Sequence, residues 1–73
     1  MMEIPIRTEM IRLGQLLKLA ATVESGSEAK ARVQAGEVLV NGEVETRRGR
    51  QLQPGDQVQI AQEHLLIVRE SET

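Results

Sequence analysis

The hydrophobic period of this chain changes once, at Gly36, and that change does more than any other feature to limit the fold. Before it, Leu13, Leu16, Leu17 and Ala20 recur at i, i+3, i+4 and i+7, one face of a helix. Gln15, Lys18 and Thr22 fall on the opposite face. The spacing predicts a first helix over roughly 14–23. Ser25 and Glu28 form a capping-box pair, in which the hydroxyl accepts one free backbone N–H and the carboxylate reaches back to another. Ala29 and Val33 give a narrow apolar stripe, and Gly36 supplies the stop, so a second helix is predicted over roughly 26–35. The link between the two is too short for them to separate, and they should pack as a hairpin.

After Gly36 the period is two. Val38-Leu39-Val40 reads as a strand, and Asn41-Gly42 as a type I′ hairpin turn, which needs positive φ at both central residues. Val44 continues the return strand, and Thr46-Arg47-Arg48-Gly49-Arg50 is a polar loop. Leu52 precedes Pro54-Gly55-Asp56, a turn, after which Val58 and Ile60 alternate with Gln57 and Gln59. Leu65 to Val68 is the last strand. The expected class is α+β: a helix hairpin followed by a small, mostly antiparallel sheet. Its expected core is Leu13, Leu16, Leu17, Ala29, Val33, Val38, Val40, Val58 and Ile60. Residues 1–9 are expected to be a loose arm or a short edge strand, 10–69 the domain, and 70–73 a frayed tail.

Composition narrows function. A chain of 73 residues is one domain with a thin core, suited to a binding face more than to a deep cleft. There is no cysteine, so no disulfide framework and no thiolate metal site. There is also no Phe, Tyr or Trp, which removes the aromatic platforms on which single-strand readers stack bases. The first residues lack the basic segment and apolar run of a signal peptide, and no apolar stretch is long enough to span a membrane, so a soluble cytoplasmic protein is expected. The net charge of −2 argues mildly against nucleic acid, but its distribution matters more, because Arg47, Arg48 and Arg50 fall within four residues.

The run Arg12-Leu13, Ser25 opening a helix, Ala29-Lys30, Gly36-Glu37-Val38-Leu39-Val40-Asn41-Gly42 and Pro54-Gly55-Asp56 followed by Val58 and Ile60 resembles the alpha-L RNA-binding domain. That domain was first described in the fourth protein of the small ribosomal subunit. Glu9-Met10-Ile11, Leu13-Gly14-Gln15, Leu17-Lys18-Leu19-Ala20, Asn41 and Arg47-Arg48-Gly49-Arg50 resemble more narrowly the stand-alone YaaA/YbcJ group of bacterial proteins. Two polar positions of the wider family are replaced: Gly14 stands where many members have Asp, and Gly26 where many have Arg. The resemblance implies a non-enzymatic protein that binds structured RNA, such as ribosomal or transfer RNA, and a helix hairpin lying beside the arginine loop.

RNA affinity comes largely from neutralising phosphates with Lys and Arg, and A-form RNA is read mostly by shape, phosphates and 2′-hydroxyls. The candidate RNA-binding residues are Arg12, Lys18, Lys30, Arg47, Arg48 and Arg50. Taken alone, the arginine cluster reads equally as a solvated loop, Lys18 and Lys30 as ordinary exposed helix cations, and Arg12 as a partner of Glu9 or Glu28. Arg32 lies off the Lys30 face and is expected to be paired; Asn41 is expected to be a turn residue and Ser25 a cap. His64 stands without a Cys or an acid pair and is expected at the surface rather than in catalysis. No catalytic residue, metal site or cofactor is expected, and a monomer is the default. The alternative function is a protein-interaction adaptor of the same fold, since a positive surface can also dock on an acidic protein.

Overall fold

The computed structural model describes residues 1–70. Strand β1 (Met2–Ile6) opens the chain, followed by a two-residue strand β2 (Ile11–Arg12), helix α1 (Leu13–Leu19) and helix α2 (Gly26–Gln34). Five strands follow: β3 (Val38–Val40), β4 (Glu43–Val44), β5 (Gln51–Leu52), β6 (Gln57–Ile60) and β7 (Glu63–Arg69). The main sheet has the order β1-β7-β6-β3-β4, and β2 pairs with β5 in a separate two-stranded ribbon. All pairs are antiparallel except β1 with β7. The architecture is the α+β arrangement that the period change predicts.

The nine expected core residues are all buried. Leu13, Leu16 and Leu17 of α1 meet Ala29 and Val33 of α2 in one cluster with Val38 and Val40 of β3 and Val58 and Ile60 of β6. Burying a Leu or Ile side chain is worth roughly 1.5–3 kcal/mol, so this cluster supplies most of the drive for docking the hairpin on the sheet. Ile4, Ile6, Val23, Leu52, Leu65 and Ile67 complete it.

Several boundaries differ from expectation, among them the last strand, expected over 65–68 and found over Glu63–Arg69. Residues 2–6 form an edge strand, the second of the two expected possibilities, and not a loose arm. Ile4 and Ile6 are buried against the parallel neighbour β7, so this strand is integral to the domain rather than a separate segment ahead of it. Helix α1 ends at Leu19, four residues before the expected 23. Ala21 takes φ 58, and the amides of Ala21 and Thr22 donate to the carbonyls of Lys18 and Leu17, the Schellman pattern of a helix stop. The same pattern ends α2, where Gly36 (φ 78) occupies the left-handed site. Glycine made that second stop legible; alanine hid the first. Of the expected tail, Glu70 is anchored, its amide donating to the Ile6 carbonyl at 2.8 Å and its carboxylate paired with Arg7. The rest of the tail, 71–73, lies outside the described residues.

The turns behave as their residues dictate. Asn41 (φ 51) and Gly42 (φ 87) make the type I′ hairpin between β3 and β4. Asn41 is more than a turn residue: its side-chain amide donates to Asp56 at 3.1 Å and its side-chain oxygen accepts from the Gln57 amide at 2.9 Å. Asp56 in turn accepts from the Gln53 amide at 2.8 Å. The Asn-Gly and Pro-Gly-Asp turns are thus tied to each other. Ser25 caps α2 by accepting from the Glu28 amide at 3.1 Å, while the Glu28 carboxylate reaches the Glu24 amide at 2.7 Å, one residue before the expected partner. Among the described residues, no helix is long and apolar enough to cross a membrane, and no three His, Cys, Asp or Glu side chains converge as a metal site.

Candidate nucleic-acid interface

The arginine loop is fixed to the helix hairpin through the backbone. The amides of Leu13 and Gly14, among the unpaired donors at the start of α1, donate to the carbonyls of Arg50 at 2.9 Å and Arg48 at 3.0 Å. The stem of Arg48 then crosses directly over Gly14. A Cβ at that position would lie 2.6 Å from Arg48 Cγ and 3.1 Å from its Cδ, so the Arg48 stem would have to shift. Glycine at 14 therefore lets the Arg48 stem lie close against the start of α1.

Within the loop the arginines divide. Glu45, only 6% exposed, is the one buried charged residue among the described residues. Its oxygens accept from Arg47 Nε at 3.1 Å, from the Arg47 amide at 3.0 Å and from Arg50 Nη1 at 2.9 Å. The Arg47 and Arg50 hydrogen bonds hold its carboxyl well below the usual range, down to about 2. Arg47 and Arg50 are thus internally paired, whereas Arg48 has no carboxylate partner among the described residues.

A full census sharpens the division. Of the nine Lys and Arg, Arg7 pairs with Glu70, Arg32 with Glu28 and Glu37, and Arg47 and Arg50 with Glu45. The expected pairing of Arg32 is present; the pairing of Arg12 with Glu9 or Glu28 is not. Arg12, Lys18, Lys30, Arg48 and Arg69 remain unpaired among the described residues. Three of these, Arg12 at the end of β2, Lys18 on α1 and Arg48 in the loop, line one groove of about 300 Å³ together with Gln15. Gly14, Gly26, Ala29 and Gly49 supply the rest of its lining. Both positions that depart from the wider family, Gly14 and Gly26, thus lie in this groove. Lys30 is exposed on α2 beside Ala29 but does not line it. A second, more open hollow of about 490 Å³ is lined by Arg47, Gly49, Arg50 and Gln51.

The structure therefore brings Arg12, Lys18 and Arg48 together, sets Lys30 at their flank, and places Arg47 and Arg50 in the neighbouring hollow. Sequence reasoning missed Glu45. Its one signal is an acid two residues before Arg47 and five before Arg50. In the structure Val44 is 59% exposed and Glu45 is buried. Gln15, whose side-chain oxygen accepts from the Arg12 amide at 3.3 Å, was also missed as a groove residue.

A family model described as "S4 domain" matches residues 4–68. The chain is 56% identical over 57 residues to "Probable ribosome maturation protein RlbA" of Bacillus subtilis (strain 168), covering 78% of this chain and 80% of that protein. It is 38% identical over 58 residues to "Putative RNA-binding protein YbcJ" of Escherichia coli (strain K12), covering 80% of this chain and 83% of that protein. With nearly its whole length matched and relatives of comparable size on both sides, the chain belongs to the S4 domain family, in its YbcJ-like group.

Proposed function

We propose that this protein binds structured RNA by its phosphates, through the groove of Arg12, Lys18 and Arg48 with Lys30 at the flank, and that it has no catalytic activity of its own. The observation that carries this reading is the charge census. Among the described residues, the cations without a carboxylate partner are not scattered, and three of the five share one concavity. An unpaired cation releases counterions when it meets a phosphate, whereas one already held by a carboxylate has less to gain. Arg47 and Arg50 add a weaker positive margin in the hollow that shares Gly49 with the groove. Membership of the S4 domain family and the RNA-binding name of the YbcJ relative support binding to RNA. The name of the RlbA relative, "Probable ribosome maturation protein", supports RNA within a maturing ribosome as the target.

The test is a salt titration on a hairpin RNA. If about four cations contact phosphates, log K falls against log salt with a slope of roughly −3 to −4, taking about 0.7–0.9 per contact. A flat salt response, together with a salt-tolerant complex with another protein, would transfer the function to the adaptor reading. Crosslinking in cells followed by sequencing of the attached RNA identifies the target, and enrichment of precursor ribosomal RNA is the expected outcome.

A further inference from the structure

We infer that the groove between Arg12, Lys18 and Arg48 is a site for one unpaired nucleotide of the RNA, displaced from its helix. This rests on the RNA reading above and specifies what enters its centre. Three features of the groove support it. The first is shape. A duplex presents a convex row of phosphates, which a flat or gently curved cationic surface meets well. A concavity of about 300 Å³ is instead at the small end of ligand pockets, and it suits a group that projects from the strand.

The second is convergence. Arg12, Lys18 and Arg48 come from a strand, a helix and a loop, and all three line the same small volume. Charge gathered in this way favours one phosphate held from several sides over a row of phosphates held singly. Arg48 is aimed by its crossing of Gly14, and Gln15 adds an uncharged amide that can hydrogen-bond a base or a sugar hydroxyl.

The third is the absence of side chains where the groove needs room. Cβ atoms built at Gly26 and Gly49 meet nothing within 4 Å, so the space runs to the backbone at both. Glycine allows such close approach of a ligand to the main chain. With no aromatic residue in the chain, the base is held by hydrogen bonds and the planes of Arg12 and Arg48 rather than by ring stacking. Unpaired bases are also where RNA exposes its edges for reading.

The open space at Gly26 makes the test direct, because a Cβ there meets nothing within 4 Å and the Gly26→Leu side chain extends from the groove lining. Two hairpin RNAs, alike except for a single unpaired nucleotide in one stem, are titrated by fluorescence anisotropy. The wild type should bind the interrupted stem about tenfold more tightly, the size of one added charge-assisted contact. Gly26→Leu should lose the preference and bind both hairpins alike, while Gly26→Ala keeps it. Gly49→Leu repeats the block from the loop side and carries the test if Gly26→Leu melts early. Equal binding of both hairpins by the wild type, or a preference that survives both blocks, would overturn the inference. So would a mononucleotide that binds as tightly as the interrupted hairpin. Failure to bind either hairpin would instead overturn the RNA reading, and this site with it.

Discussion

Two basic hollows lie side by side, sharing Gly49, and they are built on opposite principles. In one, Arg12, Lys18 and Arg48 come from distant parts of the chain and meet no carboxylate among the described residues. In the other, Arg47 and Arg50 are near neighbours in sequence and close on the buried Glu45. By sequence the second is the obvious patch; by structure the first holds the uncommitted charge. Clustering along a chain measures how close charges are. Only the fold shows which of them are already spent on a partner inside the protein.

The largest effect should come from emptying the first hollow. Replacing Arg12, Lys18 and Arg48 together with Ala should flatten the salt slope by about 2–3, at about 0.7–0.9 per contact, and weaken hairpin binding by roughly two orders of magnitude at low salt. A slope unchanged by the triple substitution would erase the distinction between the hollows. Next, Gly14→Ala should weaken binding nearly as much as Arg48→Ala, about tenfold, since its Cβ would displace the Arg48 stem. In the Arg48→Ala background it should change binding little, and it should favour the helix by up to about 1 kcal/mol. The double-mutant cycle is the measurement, and simple additivity would mean that the Arg48 stem can be rerouted without consequence.

The second hollow should show itself in stability more than in binding. The Glu45 carboxyl is depressed in the folded state relative to the unfolded chain. Its contribution is therefore complete above the unfolded value and is lost as pH falls through the folded one, a window from about pH 5 down to about pH 2. Urea titrations across that window should show wild-type stability falling more steeply than that of Glu45→Gln, which keeps the shape but lacks the titrating group. Parallel pH profiles would show the pairing to be energetically idle. Arg47→Ala should lower RNA affinity only about twofold, because its charge is largely balanced by Glu45. Arg69→Ala, in the last strand and outside both hollows, should be indistinguishable from wild type on the same hairpin, and it sets the floor for the series.

Much of this was legible in the residues, for identifiable reasons. Leu13, Leu16 and Leu17 and the alternation of Val38, Val40, Val58 and Ile60 carry period and burial together, and all are buried as that pattern implies. Asn41-Gly42 and Pro54-Gly55-Asp56 specify turns by backbone chemistry alone. Features that depend on partners far along the chain were hidden. Ile4 and Ile6 are too few to show a period, and their burial comes from β7. Ala21 adopts a left-handed conformation because the Schellman bonds and the packing of Val23 hold it there, at a residue type that gives no signal. Four of the six candidate RNA contacts, Arg12, Lys18, Lys30 and Arg48, lack a carboxylate partner among the described residues, but nothing in the local sequence separates Arg48 from Arg47. That separation rests on Gly14 beneath one and Glu45 behind the other.

The parallel pairing of β1 with β7 also has a consequence in time. Ile4 lies opposite Ile67, so β1 is made well before β7, its one sheet neighbour among the described residues. At a synthesis rate of about 5–20 residues per second, the two are separated by roughly 3–13 seconds. Throughout that interval the helix hairpin and the β3–β4 turn can form from local contacts, while Ile4 and Ile6 stay uncovered. Pairing β1 with β7 closes the longest loop among the described residues, and it requires an ordering cost before any contact rewards it. The nascent protein thus passes through a stage in which β1 is an adhesive edge, and the arrival of β7 removes it.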